Sequence, residues 1–417
     1  HHINELHLLL VHHTPLPVLH AIMKLIIFLL FIASCYADIN LNAGMKDFST
    51  ELLNHAQLET SGNIVISPFG LWTLLAAIAS GAGGNSRTEL EKVLQLSSEQ
   101  DILIDEYKNI TEIILESHTQ DVTITSKHFV FLDKSFEVLD SFETTLTNDF
   151  NAQMIRLDFE NSEAAAENAN TIIKESGATE SDVLRPDEFV MSKMILTNLI
   201  YFKGLWLLPF NTSDTQVEPF YDENGNQIGS VKMMYQRAEL PYSNVQTLQA
   251  HVVDLPYGKN DMYSMLVVLP YPKIKLSEMY KRFTEVSLQD IFEKLDRDTE
   301  EFDLEEVDLR LPRFEMNTNI ILNKPLNKMG INDIFNQNTA NFDKITTEKI
   351  YISTIVQKAK IEVTEVGTTA SADTTANIPN RITTPQFYAN RPFVYFIIEK
   401  TTKTVLFNGI YSEPILF

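Results

Sequence analysis

The chain is expected to fold as an α+β protein. Helix signals come early, up to Lys174, and runs of β-branched and aromatic residues dominate from Met194 onward. The two types do not alternate regularly, as a parallel α/β sheet would require. No Pro- or Gly-rich stretch, internal repeat or low-complexity tract marks a linker. At 417 residues and 44% hydrophobic, the chain can build a large core or two domains.

Each element has its own warrant. Ser67 followed by Pro68 reads as a helix start: a hydroxyl cap, then a proline whose missing N–H costs nothing there. The run Leu71 to Ala79 is apolar on all sides, so this helix is expected to be buried. Gly81-Ala82-Gly83-Gly84 lacks the Gly-Lys-Ser/Thr end of a phosphate-binding loop and reads as a turn between helices. Ser86 with Glu89 three residues on has the pattern of a capping box opening the next helix. The alanine-rich stretch Ser162 to Lys174 reads as another helix. Strands are expected at Val122–Thr125, His128–Leu132, Met194–Phe202, His251–Leu255, Met262–Leu269, Lys358–Thr364, Phe393–Ile398 and Thr404–Ile410.

The N-terminal residues are read apart from the fold. Residues 1–22 carry six histidines and precede a plausible initiator, Met23, so they are taken as upstream sequence translated in frame. Residues 23–37 have the parts of a secretory signal: Lys24, the apolar run Leu25 to Ile32, and the small-residue exit Ala33-Ser34-Cys35-Tyr36-Ala37. A secreted, extracellular protein is the expectation. The apolar run is too short to span a bilayer, and no later segment reaches the required length. Removing residues 1–37 takes away one lysine and one glutamate, so the formal charge stays at −23. Such a chain repels nucleic acid and anionic membrane surfaces. The one cysteine, Cys35, lies in the signal, which rules out a thiol mechanism. Asn109-Ile110-Thr111 and Asn211-Thr212-Ser213 are glycosylation sequons, so Asn109 and Asn211 are candidate sugar carriers.

No assembled catalytic or metal site is legible, and no cofactor is expected. His55, His118, His128 and His251 show no metal-ligand spacing, and there is no Gly-x-Ser-x-Gly elbow. His128, in a hydrophobic strand, is read as a core histidine. The chain is not expected to be an enzyme. It is instead expected to be acted upon, and the segment Glu362 to Pro385 says how. An apolar strand breaks at Gly367 into small residues, followed by a single basic residue, Arg381, and then Thr383-Thr384-Pro385. Residues two apart share a face of a strand. One face carries Thr368, Ala370, Ala372, Thr374, Ala376 and Ile378, all small or apolar; the other carries Thr369, Ser371, Asp373, Thr375 and Asn377, all polar. That is the pattern of a strand with one buried face, written into a segment that offers one cleavage site to a trypsin-like enzyme.

This segment resembles the reactive-centre loop of the serpins, and the resemblance covers nearly the whole of residues 38–417. Ser67-Pro68-Phe69, the segment Asn198 to Trp206, Leu255-Pro256-Tyr257, Ser264 to Pro270, Leu311-Pro312-Arg313-Phe314, Met329-Gly330-Ile331 and Phe387 to Ile397 fall in family order. The resemblance implies one domain over residues 38–417. It implies a large mixed β-sheet A, two smaller sheets, about eight or nine helices, and an exposed loop at about 365–386. It also implies a mechanism. A trypsin-like serine protease attacks Arg381, forms a covalent acyl complex at the Arg381–Ile382 bond, and is trapped as the loop inserts into sheet A; loop insertion of this kind releases stored strain. Arg381 lies fourteen residues after Gly367 and twelve before Phe393, both at family spacing. Glu365, Gly367, Thr368, Ala370, Ala372, Thr374 and Ala376 are the hinge and inserting segment, and Ser67, Asn198, Trp206 and Gln357 belong to the region where the sheet opens. The protein is expected to act as a monomer. Heparin binding is not expected, since Asp101 to Ser117 holds one lysine, Lys108, against five carboxylates.

Four positions depart from the family pattern. Gly70 stands where a serine is common and Gln357 where a histidine is common, and both bear on the ease of sheet opening; Asp373 interrupts the small residues, and Val366 stands where a polar residue is common. Asp373, Val366 and Gly70 favour the alternative, a non-inhibitory serpin whose loop is cleaved without trapping. Thr368 at the first inserting position argues for the inhibitor.

Overall fold

Ser67 starts its helix as its sequence requires: its side-chain oxygen accepts the N–H of Gly70 at 2.9 Å, and Pro68 takes the first turn. The structure, a computed structural model, describes residues 47–116, 120–177, 182–366 and 384–417. Helices are numbered in chain order. They are α1 (47–56), α2 (Pro68–Gly81), α3 (Gly84–Leu94), α4 (Gln100–Thr111), α5 (Asp140–Asn148), α6 (Ser162–Glu175), α7 (Pro186–Phe189), α8 (Leu276–Lys281), α9 (Leu288–Phe302) and α10 (Asn323–Lys328). Every residue of α2 is buried, as its uniformly apolar sequence predicts, and the helix packs between two of the sheets. Burying Trp72, Leu74, Leu75 and Ile78 contributes roughly 1.5–3 kcal/mol each. The Trp72 Nε1–H finds a partner in the Leu94 carbonyl at 3.0 Å.

Three sheets hold the strands. The mixed sheet runs in the order β11 (Phe314–Ile321), β12 (Ile352–Val363), β4 (Met194–Gly204), β2 (Val122–Asp133) and β3 (Ala152–Leu157). The antiparallel sheet runs β1 (Ile64–Ile66), β15 (Thr404–Tyr411), β14 (Phe393–Glu399), β9 (Tyr263–Pro270), β8 (Ala250–Tyr257) and β7 (Tyr242–Val245). The third is β13 (Gln386–Tyr388), β10 (Glu305–Pro312), β6 (Gln227–Leu240) and β5 (Gln216–Tyr221). Beta-branched and aromatic runs form these strands, and helix α2 fills the space between β4 and β15. This is the predicted α+β architecture.

Two local expectations are corrected. The capping box proposed at Ser86 and Glu89 does not form. Helix α3 begins at Gly84, behind a Gly83 cap with no side-chain bond. The Ser86 hydroxyl donates to Asp333 at 2.6 Å, and Glu89 accepts the N–H groups of Asn332 and Asp333, each at 2.7 Å. Both side chains tie α3 to a distant loop. The two strands expected at Val122–Thr125 and His128–Leu132 are one, β2, because Ser126 and Lys127 continue the same ladder opposite Ile200 and Leu199.

Candidate functional site

Register brings the distant polar residues together. In the mixed sheet Asn198 of β4 lies opposite His128 of β2 on one side and Gln357 of β12 on the other. The three side chains therefore share one row on one face of the sheet, the face toward the start of α2. All three are buried. A buried polar group must find partners, since an unpaired one costs about 1–3 kcal/mol. Here each does. Gln357 Nε2 donates to Asn198 Oδ1 at 2.9 Å and to the Ser67 carbonyl at 2.8 Å, while its Oε1 accepts the Ser67 N–H at 2.8 Å. Ser67 Oγ also donates to the Leu406 carbonyl of β15 at 2.5 Å. Asn198 Nδ2 lies 3.2 Å from His128 Nδ1, and His128 Nε2 lies 3.2 Å from Thr73 Oγ1. The arrangement is satisfied by a neutral His128 with its proton on Nε2. Burial pushes the His128 pKa down to about 4, which keeps it neutral.

Gly70 belongs to this row. An added Cβ would overlap the Asn198 amide, so the absence of a side chain is what admits Asn198. Gln357, with its longer reach, closes the circuit to Ser67. The two departures from the family pattern thus fit one another, and neither leaves a group unpaired. The network ties β2, β4, β12, α2 and β15 at the place where β4 and β12 lie side by side.

A second set of contacts holds the end of β12. Trp206 Nε1 donates to the Thr364 carbonyl at 2.6 Å, the Trp206 N–H to the Val366 carbonyl at 3.1 Å, and the Phe210 N–H to the Glu365 carbonyl at 3.1 Å. The indole stacks on Tyr257 with ring centres 4.2 Å apart, which fixes its plane. Glu365 is only 4% exposed. Its carboxylate accepts Thr215 Oγ1 at 2.8 Å and faces Arg313 Nη1 at 3.4 Å. At the other end, the Pro385 carbonyl accepts the Asp308 N–H at 2.9 Å, Arg237 donates to Thr384 Oγ1 at 2.7 Å, and β13 joins the edge of β10 in parallel. The loop is therefore anchored at residues 364–366 and 384–388, on two different sheets.

Of the residues singled out in the sequence, Ser67, Asn198 and Gln357 meet in one network, while Trp206 and Glu365 meet in the clamp at the end of β12. Arg381, Ile382, Gly367, Thr368, Ala370, Ala372, Thr374 and Ala376 lie outside the described residues. Asn109 is exposed on α4, and Asn211 is exposed with its side chain capping the Ser213 N–H at 3.1 Å. Lys108, the lysine of the stretch considered for heparin, pairs with Asp149 at 2.6 Å. Sequence reasoning missed the roles of His128, Thr73, Thr215 and Arg313. Only Arg313 carried a signal, its place after Leu311-Pro312; the others depend on register and tertiary packing.

Comparison with known proteins agrees with this geometry. Residues 43–414 match the family described as Serpin (serine protease inhibitor). Leukocyte elastase inhibitor A of Rattus norvegicus is 32% identical over 383 residues, covering 88% of this chain and 97% of the relative. Serpin B9 of Homo sapiens is 30% identical over 363 residues, covering 85% and 94%. The crystal structure of Manduca sexta Serine protease inhibitor (Serpin)-12 superposes with a TM-score of 0.77 at 25% identity, covering 89% of this chain and 98% of that one. These relatives correct the expected location. Leukocyte elastase inhibitor and serpin B9 are intracellular serpins, so the reading of a secreted, extracellular protein does not stand. Residues 1–42, which include the expected signal, lie outside the family match.

Proposed function

The chain belongs to the serpin family, and from that premise we propose that it is an irreversible suicide-substrate inhibitor of trypsin-like serine proteases, cleaved between Arg381 and Ile382. The observation that carries this reading is the direct parallel pairing of β12 with β4, from Ile352 beside Met194 to Glu362 beside Lys203. Parallel pairing is slightly weaker per residue than antiparallel. A strand that folded back from the end of β12 and entered this junction would run opposite to both neighbours. One parallel junction would become two antiparallel ones. The segment beginning at Thr368 follows that end directly, and its alternating small residues suit a strand buried on one face. Arg381 supplies the charge that the acidic specificity pocket of a trypsin-like enzyme pairs with. The protein acts as the bait and the trap; the nucleophile belongs to the protease.

Insertion must outrun hydrolysis of the acyl-enzyme. Dragging the protease out of shape removes the geometry on which its oxyanion hole depends, and loss of one donor there costs roughly 10²–10³ in rate. The alternative, cleavage without trapping, draws no support from Gly70 or Gln357, whose network is complete. Mixing the protein with trypsin and running denaturing electrophoresis tests the reading. A boiling-resistant band at the summed mass is expected, and Arg381→Ala should abolish it. Cleavage after Arg381 that leaves trypsin active would sink the inhibitor reading.

A further inference from the structure

Past β15 the chain runs through residues 412–417 along a course fixed at three points. The N–H groups of Ser412 and Glu413 donate to Asn63 Oδ1 at 2.7 and 2.9 Å, and Asn63 Nδ2 donates to the Glu413 carbonyl at 2.8 Å. Pro414 packs against Gly229 of β6, where an added Cβ would overlap its ring. The Ile415 N–H donates to the Tyr411 hydroxyl at 2.9 Å. The segment so held brings Phe417 to Arg313, whose guanidinium carbon stands over the ring, 5.2 Å from its centre. Arg313, between β10 and β11, is the residue that faces the Glu365 carboxylate. Its backbone is pinned, the N–H donating to the Lys232 carbonyl at 2.8 Å. Its side chain is held more loosely. The buried Nε meets no hydrogen-bond acceptor among the described residues, and Nη1 stays 3.4 Å from the carboxylate.

We propose that Phe417 is a positioning residue for the reactive loop: its ring holds the Arg313 guanidinium against Glu365, and so fixes residues 364–366, from which the loop departs. A guanidinium stacks on an aromatic face without giving up its N–H donors, which suits a cation that must also serve a carboxylate. The pair is unequal, with the Glu365 side chain 5% exposed and the Arg313 side chain 32%. A carboxylate buried that far depends on its cation staying in place. The ring withholds water from the exposed partner, and the attraction between the two charges grows as water is withdrawn. Thr215 Oγ1 completes the carboxylate's contacts, and the Glu365 carbonyl takes the Phe210 N–H, so the side chain's position is carried to the backbone. Without the ring, Arg313 turns toward solvent, Glu365 loosens, and the carbonyls of residues 364–366 leave Trp206 and Phe210 more often. In the inhibitor proposed above, that is premature release of the base of the loop; this consequence rests on that reading, whereas the positioning of residues 364–366 does not.

Amide hydrogen exchange of the intact protein tests the role, since the Trp206 and Phe210 N–H groups are held by the Val366 and Glu365 carbonyls. Phe417→Ala is expected to speed exchange at these two amides about fivefold, the scale of a shielded cation–aromatic contact, and to leave α2 unchanged. Phe417→Tyr should keep the parental rates, and in a Glu365→Gln background Phe417→Ala should add less than about twofold. Unchanged exchange at Trp206 and Phe210 overturns the proposal. So does a rise shared equally by α2, which would assign the ring to general stability. A full effect that persists in the Glu365→Gln background overturns it too, because the ring would then act by another route. Residual trypsin inhibition during incubation at 37 °C tests the consequence. Faster decay in Phe417→Ala than in the parent or Phe417→Tyr is expected, and equal decay removes the link to loop release. If the parent never traps trypsin, the inhibitor reading fails separately, and the exchange rates still decide the role of Phe417.

Discussion

At Gly70 the missing side chain is the functional part. The Asn198 amide occupies the volume a Cβ would need. Gly70→Ala is expected to destabilise the protein by about 1–3 kcal/mol through overpacking, measurable as a lower midpoint in urea. His128 gives the same network a pH dependence. Its pKa is near 4 in the fold, against 6.5 for an exposed histidine. Between these values the unfolded chain takes up a proton that the folded one refuses, so stability falls as pH drops from about 6.5 to about 4. The loss from this residue is of order 3 kcal/mol, from 1.36 kcal/mol per pKa unit. Urea denaturation at pH 7 and at pH 4.5 should show it, and His128→Asn should remove most of the difference. An identical pH dependence in the variant would exclude His128 as its source.

At the scale of elements, the junction of β4 and β12 is held by ladder bonds and, among the described residues, by side-chain contacts that include the Lys203–Glu362 ion pair at 3.6 Å near its end and the buried hydrogen bond from Gln357 to Asn198. Gln357→Leu keeps the bulk but leaves the Ser67 N–H without its Gln357 partner, a penalty of about 1–3 kcal/mol. The variant is expected to lose inhibitory activity faster than the parent on incubation at 37 °C, read as residual trypsin inhibition over time. Equal decay would show that the crossing bond does not restrain the junction. How much of this was visible beforehand differs by element. Helix α2 was legible because cap, proline and apolar run all lie within a few residues. The Ser86–Glu89 pattern misled because Asp333 and Asn332, their true partners, are close only after folding. Helix α9 was not picked out although Ser287 and Asp290 form its capping box and Leu288, Ile291, Phe292 and Leu295 fill one face. The residues Ser67, Asn198, Trp206 and Gln357 were identified by resemblance. The meeting of Asn198 and Gln357 in a row with His128 could not be, since a register one residue away would have turned them to the other face.

For the whole molecule, the inhibitor proposed above would gain a more bonded mixed sheet when cleavage after Arg381 frees the segment following β12 to enter the parallel junction of β4 and β12. The cleaved protein is expected to unfold at a higher temperature than the intact one in scanning calorimetry, and a midpoint that is unchanged or lower would contradict insertion. The order of the antiparallel sheet has a separate consequence, for synthesis. Strands β14 and β15 are made after every other strand, yet they sit inside that sheet, with β15 between β1 and β14 and Ile64 beside Ile410. With chain growth at about 5–20 residues per second, β1 must wait many seconds for β15, its neighbour in the sheet among the described residues. Until Tyr411 has left the ribosome the core beneath α2 is open, so the nascent chain depends on being shielded, and a message that stops short of Thr404 encodes a protein with no way to close its centre.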